Sequence, residues 1–91
     1  MAKLIVYDPR ANGTPSESFL CCINSFSCAA PITQNCWLVD TDKTCVQIRD
    51  LLCPETCPGD RLFVVVVGRE AAWIGPLLSS NEAVKRILNN C

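Results

Sequence analysis

Arg61-Leu62-Phe63-Val64-Val65-Val66-Val67 is the stretch on which the fold turns. It is β-branched and aromatic and follows the loop-forming Pro58-Gly59, so it reads as a strand. Successive side chains of a strand point to opposite faces of its sheet. Here both sets are apolar: Leu62, Val64 and Val66 against Phe63, Val65 and Val67. A sheet with one face in water alternates polar and apolar residues instead. This strand needs cover on both of its faces.

The same pattern recurs upstream. In Lys3–Asp8, Leu4 and Val6 oppose Ile5 and Tyr7, and Pro9, Asn12 and Gly13 close the run. In Cys36–Asp40, Trp37 and Val39 oppose Cys36 and Leu38. The weaker stretch Cys28–Ile32 contains Pro31, which marks an edge strand, and Thr33-Gln34-Asn35 joins it to Cys36–Asp40 as a hairpin. Helices fill the gaps. Thr14-Pro15-Ser16-Glu17 reads as a capped helix start, with Phe19, Cys22, Ile23 and Phe26 on one apolar face and an end near Ser27. Thr44 and Gln47 make a second capping box, before the stripe Cys45, Ile48, Leu51 and Leu52. Ser79 and Glu82 make a third, for a C-terminal helix over about 80–89.

The order is strand, helix, strand, strand, helix, strand, then a tail. That predicts a single α+β domain, a ferredoxin-like βαββαβ sandwich with an antiparallel four-stranded sheet, whose core spans about 3–75. Both helices then lie on one face, and the first and third strands lie in the middle. The other face is apolar too. A homodimer packed sheet against sheet would cover it. The alternative is that the C-terminal helix folds under it, although one short helix covers little of a sheet.

Composition narrows the classes. The 91 residues are 49% hydrophobic and 19% charged, which describes a globular chain. With 8 Lys+Arg against 9 Asp+Glu, the net charge of −1 gives no broad footprint for nucleic acid. No apolar run reaches the ~18 residues of a membrane span. Met1–Asp8 is too short and too soon charged for a signal peptide, so a cytoplasmic location is expected. The eight cysteines fit either a disulfide framework, which needs an oxidising compartment, or free thiols used as small apolar residues. The expected location favours free thiols.

Several blocks carry a family resemblance: LIVYD (4–8), CWLVDTD (36–42), VQIRDLL (46–52), DRLFVVVV (60–67) and GREAAW (68–73). In order and spacing they resemble the SinR-like branch of the CRISPR-associated Cas Two family, over roughly residues 3 to 75. The resemblance implies a ferredoxin-like fold and a sheet-to-sheet dimer. Some members are metal-dependent endonucleases, others are non-catalytic platforms for the CRISPR integrase, and the related VapD proteins are toxin ribonucleases. The cysteines are not part of the family pattern.

The resemblance places the chemistry at Asp8, at the end of a central strand. Across a two-fold axis, Asp8 and its mate would share Mg²⁺ or Mn²⁺, lowering the pKa of a bound water and stabilising charge on a phosphodiester of RNA or DNA. The plainer reading is that Asp8 caps the turn at Pro9-Arg10. Arg10 is either a phosphate contact or an exposed loop charge. Cys53 and Cys57 make at most half a zinc site, with no histidine to complete it. Trp37 and Trp73 read as core or interface anchors, with base stacking as a second use. Asp40 and Asp42 read as solvated turn residues rather than metal ligands. Three functions stay open: a metal-dependent endonuclease, a non-catalytic dimeric platform for nucleic acid or an integrase-like protein, and a purely structural protein. The lack of histidine removes the commonest general base.

Overall fold

The computed structural model of the chain describes residues 1–9, 15–68 and 70–89. The elements run β1 (Ala2–Asp8), α1 (Glu17–Asn24), β2 (Cys28–Thr33), β3 (Cys36–Asp40), α2 (Cys45–Leu52), a 3-10 turn at Cys53–Glu55, β4 (Arg61–Val66) and α3 (Asn81–Asn89). They build an α+β domain on one antiparallel sheet ordered β2-β3-β1-β4, so β1 and β3 are central as expected. No described helix is long and apolar enough to cross a membrane.

Local signals set the helix limits. Thr44 and Gln47 form the reciprocal box: the Gln47 N–H donates to Thr44 Oγ1 at 3.1 Å and the Thr44 N–H to Gln47 Oε1 at 2.8 Å. The expected cap at Thr14 lies outside the described residues. Helix α1 starts later than expected, because Ser16 accepts from the Phe19 N–H at 3.2 Å and leaves Pro15 outside the helix. It also stops earlier, at Asn24, where the Ser25 N–H returns to the Cys22 carbonyl. At α3 the capping oxygen belongs to Ser80, which accepts from the Ala83 N–H at 3.2 Å, and not to Ser79.

Register sorts the sheet into two faces. Ile5 stands beside Trp37 and Val64, and Leu4 beside Leu38 and Val65. On the first face α1 and α2 deliver Phe19, Ile23, Ile48 and Leu52 onto Ile5, Tyr7, Trp37 and Val39. The Phe19 ring stacks on Tyr7 at 4.2 Å between centroids and meets Trp37 at 5.5 Å. Such aromatic pairs add about 0.5–1.5 kcal/mol each beyond their burial. Lys3 is buried at the rim of this face, where its ammonium donates to the Thr41 carbonyl at 3.1 Å.

On the second face the alternative reading holds in part. The chain beyond β4 is long enough to cover part of it. Val84, Ile87 and Leu88 of α3 bury against Ala2, Ala30 and Leu38, flanked by Trp73 and Leu77. Two bonds fix the return of the chain: the Leu78 N–H donates to the Ile32 carbonyl at 3.2 Å, and Trp73 Nε1–H to Asn81 Oδ1 at 3.1 Å. Cover by α3 falls on the β2–β3 half. On the β1–β4 half, Leu4, Val6 and Val65 stay half-buried and Phe63 is 62% exposed.

The two sheet edges differ. Backbone bonds alternate along an antiparallel pair, and β3 turns Trp37 and Val39 toward β1. Ala30 of β2 therefore bonds to Leu38, while Pro31 presents its missing N–H outward. The β2 edge also carries a register shift between Pro31 and Thr33. Edge β4 has neither device.

Candidate functional site

The end of the sheet where β1 leaves and β4 enters collects the polar groups. Cys57-Pro58-Gly59-Asp60 makes a tight turn, closed by the Asp60 N–H donating to the Cys57 carbonyl at 3.0 Å. Gly59 has φ 90°, a conformation that side-chain-bearing residues rarely adopt. The turn aims Asp60 back at the sheet. Its Oδ2 accepts from the Tyr7 hydroxyl at 2.5 Å and from the Cys57 N–H at 2.8 Å. Burial, helped by the neighbouring Asp60 carboxylate, pushes the Tyr7 hydroxyl from its usual 10.0 up to about 12. Tyr7 is thereby held neutral, as a donor.

Asp8 follows Tyr7 and points the other way, into solvent. Directly across the β1–β4 pair stands Arg61. With Pro9 and Gly59 they line an open polar cleft of about 490 Å³. A carboxylate beside a guanidinium can meet a cation on one side and a phosphate or carboxylate on the other. Arg10, the other expected phosphate contact, lies outside the described residues.

Among the described residues no three cysteine or acidic side chains converge on a point that could hold an ion. Asp60 is turned to Tyr7 and the loop, and Arg61 places a positive charge opposite Asp8.

The remaining expected residues are dispersed. Trp37 is buried in the helix-covered core and offers no ring to a base, while Trp73 is half-buried against α3. Asp42 is exposed and Asp40 half-buried at the end of β3. All described cysteines are free thiols: Cys21, Cys53 and Cys57 are exposed, and Cys22, Cys28, Cys36 and Cys45 half-buried. Burial, then Glu55, then Cys21 push the Cys22 thiol up.

Sequence reasoning missed the Tyr7–Asp60 bond. Its signal was present: a Pro-Gly-Asp turn directly before a strand that must pair with the strand ending in Tyr-Asp.

Compared with known proteins, the chain matches no family model, no curated protein and no solved structure.

Proposed function

We propose that this chain is a ferredoxin-like homodimeric platform, similar to the SinR-like branch of the CRISPR-associated Cas Two family, that docks an integrase-like partner protein and does no chemistry of its own. The strand order β2-β3-β1-β4, with α1 and α2 on one face, supports the ferredoxin-like reading. The observation that carries the platform reading is the segment before α3. There Ile74 is 98% exposed, and Leu78 next along is exposed as well. Two large apolar side chains left exposed on one anchored segment suit docking to a protein surface.

A second reading is a metal-dependent endonuclease. The Asp8–Arg61 cleft favours it, since Arg61 stands ready to neutralise a phosphate beside a carboxylate. It requires Asp8 from two copies to share Mg²⁺ or Mn²⁺.

Incubation with single-stranded RNA and duplex DNA, with Mg²⁺ and with Mn²⁺, separates the two. The platform reading expects no cleavage and no effect of chelator. Cleavage that both chelator and Asp8→Asn abolish would replace it with the nuclease reading.

A further inference from the structure

We infer that β4 is the surface on which two copies of this chain join, strand to strand and antiparallel, about a two-fold axis at Val64. This rests on the homodimer reading above and puts an edge-to-edge joint in place of the sheet-against-sheet packing expected from the sequence.

The argument starts from the backbone. The Val67 N–H donates to the Ala2 carbonyl at 3.1 Å. Counting in steps of two along the β1–β4 register, Val65, Phe63 and Arg61 also turn their backbone groups toward β1. Leu62, Val64 and Val66 therefore turn theirs outward. Among the described residues no strand pairs with that edge. A flat apolar edge strand without proline, bulge or inward charge is a ready template for another strand.

The side chains agree. Phe63 is 62% exposed on one face of this edge and Val66 47% exposed at its end. On the other face α2 packs beside β4 and leaves Val46 55% exposed. Between them lies a groove of about 230 Å³, lined by Cys45, Val46, Arg49, Leu62, Phe63 and Val64. Exposed apolar groups thus gather on both faces of one edge.

A second copy fits this edge because the edge is self-complementary. With Val64 opposite Val64 of the other copy, Leu62 faces Val66 and Val66 faces Leu62. Every outward N–H and C=O of the three residues finds a partner. In the same register Phe63 lies against Val65 of the other copy, and the two α2 helices meet near Val46. No charged residue falls inside the paired stretch, and the Arg49 guanidinium at the groove is held by Asp50 at 3.0 Å. The arrangement also decides the fate of Asp8. In this dimer Asp8 and its mate lie at opposite ends of the joined sheet, roughly 20 Å apart along the strand direction. They cannot share a metal, which agrees with a non-catalytic platform.

Sedimentation at micromolar concentration and amide hydrogen exchange read by NMR test the inference on the intact chain. The expected result is a dimer in which the Leu62, Val64 and Val66 amides are protected. Val66→Pro removes an outward N–H from an exposed edge position, where proline is tolerated. It should weaken association by roughly a hundredfold, since two-fold symmetry removes two bonds at once, and leave the circular dichroism spectrum unchanged. A dimer whose Leu62, Val64 and Val66 amides exchange freely would overturn this interface and leave the homodimer standing. A monomer would overturn both. If Val66→Pro unfolds the chain, Phe63→Lys, which changes only an exposed side chain, takes its place with the same expectation.

Discussion

The Tyr7 hydroxyl donates to the Asp60 carboxylate at 2.5 Å, joining the last buried residue of β1 to the residue that leads into β4. The two lie far apart in sequence, so this bond closes the second half of the fold onto the first. It also gives the protein an alkaline limit. The neutral hydroxyl is favoured in the folded chain, where its pKa is about 12 against the ordinary 10.0. Its contribution is complete below pH 10 and is lost as pH rises from 10 to 12. At about 1.4 kcal/mol per unit, the loss is at most ~3 kcal/mol. Urea melts between pH 9 and 12 should show the decline in the wild type. Tyr7→Phe should lower stability at neutral pH by about 1–2 kcal/mol, through loss of the hydroxyl–carboxylate bond, and flatten the decline.

The covering helix α3 is an integral part of the core. Ile87 is buried against the outer face of the sheet. Ile87→Ala should cost about 2–4 kcal/mol, as truncations of buried aliphatic side chains do. Denaturant melts followed by both tryptophans check it: a single shifted transition is expected, because Trp73 reports α3 and Trp37 reports the opposite core.

Thr44→Ala removes one half of the reciprocal cap on α2. The expected cost is about 1 kcal/mol, seen as a lower urea midpoint with an unchanged slope.

Thiol chemistry should separate neighbours on one helix. Cys21 is exposed, while Cys22 is half-buried with its thiol pushed up by burial, Glu55 and Cys21. Alkylation at pH 8 followed by peptide mass mapping should modify Cys21, Cys53 and Cys57 well before Cys22, since the thiolate is the reacting form. Cys22 labelled as fast as Cys21 would contradict this placement.

Much of the frame was legible in the sequence because short-range rules set it. Both-face apolar patterns in Lys3–Asp8, Cys36–Asp40 and Arg61–Val67 located the strands, and Pro31 marked β2 as an edge. The Thr44 box placed the start of α2 to the residue. Where several hydroxyl residues compete for one cap, the pattern chose wrongly: Ser16 took the role read for Thr14, and Ser80 that read for Ser79. The stripe on α2 was read too wide, since Leu51 is 40% exposed. Cover of the second face by α3 could be read only as an alternative, for a different reason. Whether α3 returns over the sheet depends on the path between β4 and α3, fixed by Leu78 on Ile32 and Trp73 on Asn81. No periodicity encodes those bonds. At the site, Asp8 was found as a strand-end acid, but its pairing with Arg61 needed the β1–β4 register.

Pro31 has a consequence for how far assembly can run. A sheet open at both edges could add copies without end, each new one offering another free strand. In this chain the β2 edge lacks the Pro31 N–H, is out of step between Pro31 and Thr33, and has its Ile32 carbonyl already taken by Leu78. Of the two sheet edges, β4 is the one left open to another strand among the described residues. If two copies join there as inferred above, the pairing would occupy the β4 edge of both, so growth would end at the pair. A chain with such an apolar strand on its surface would thereby be kept from fibres, and concentrated solutions should stay clear where a Pro31→Val variant would gel.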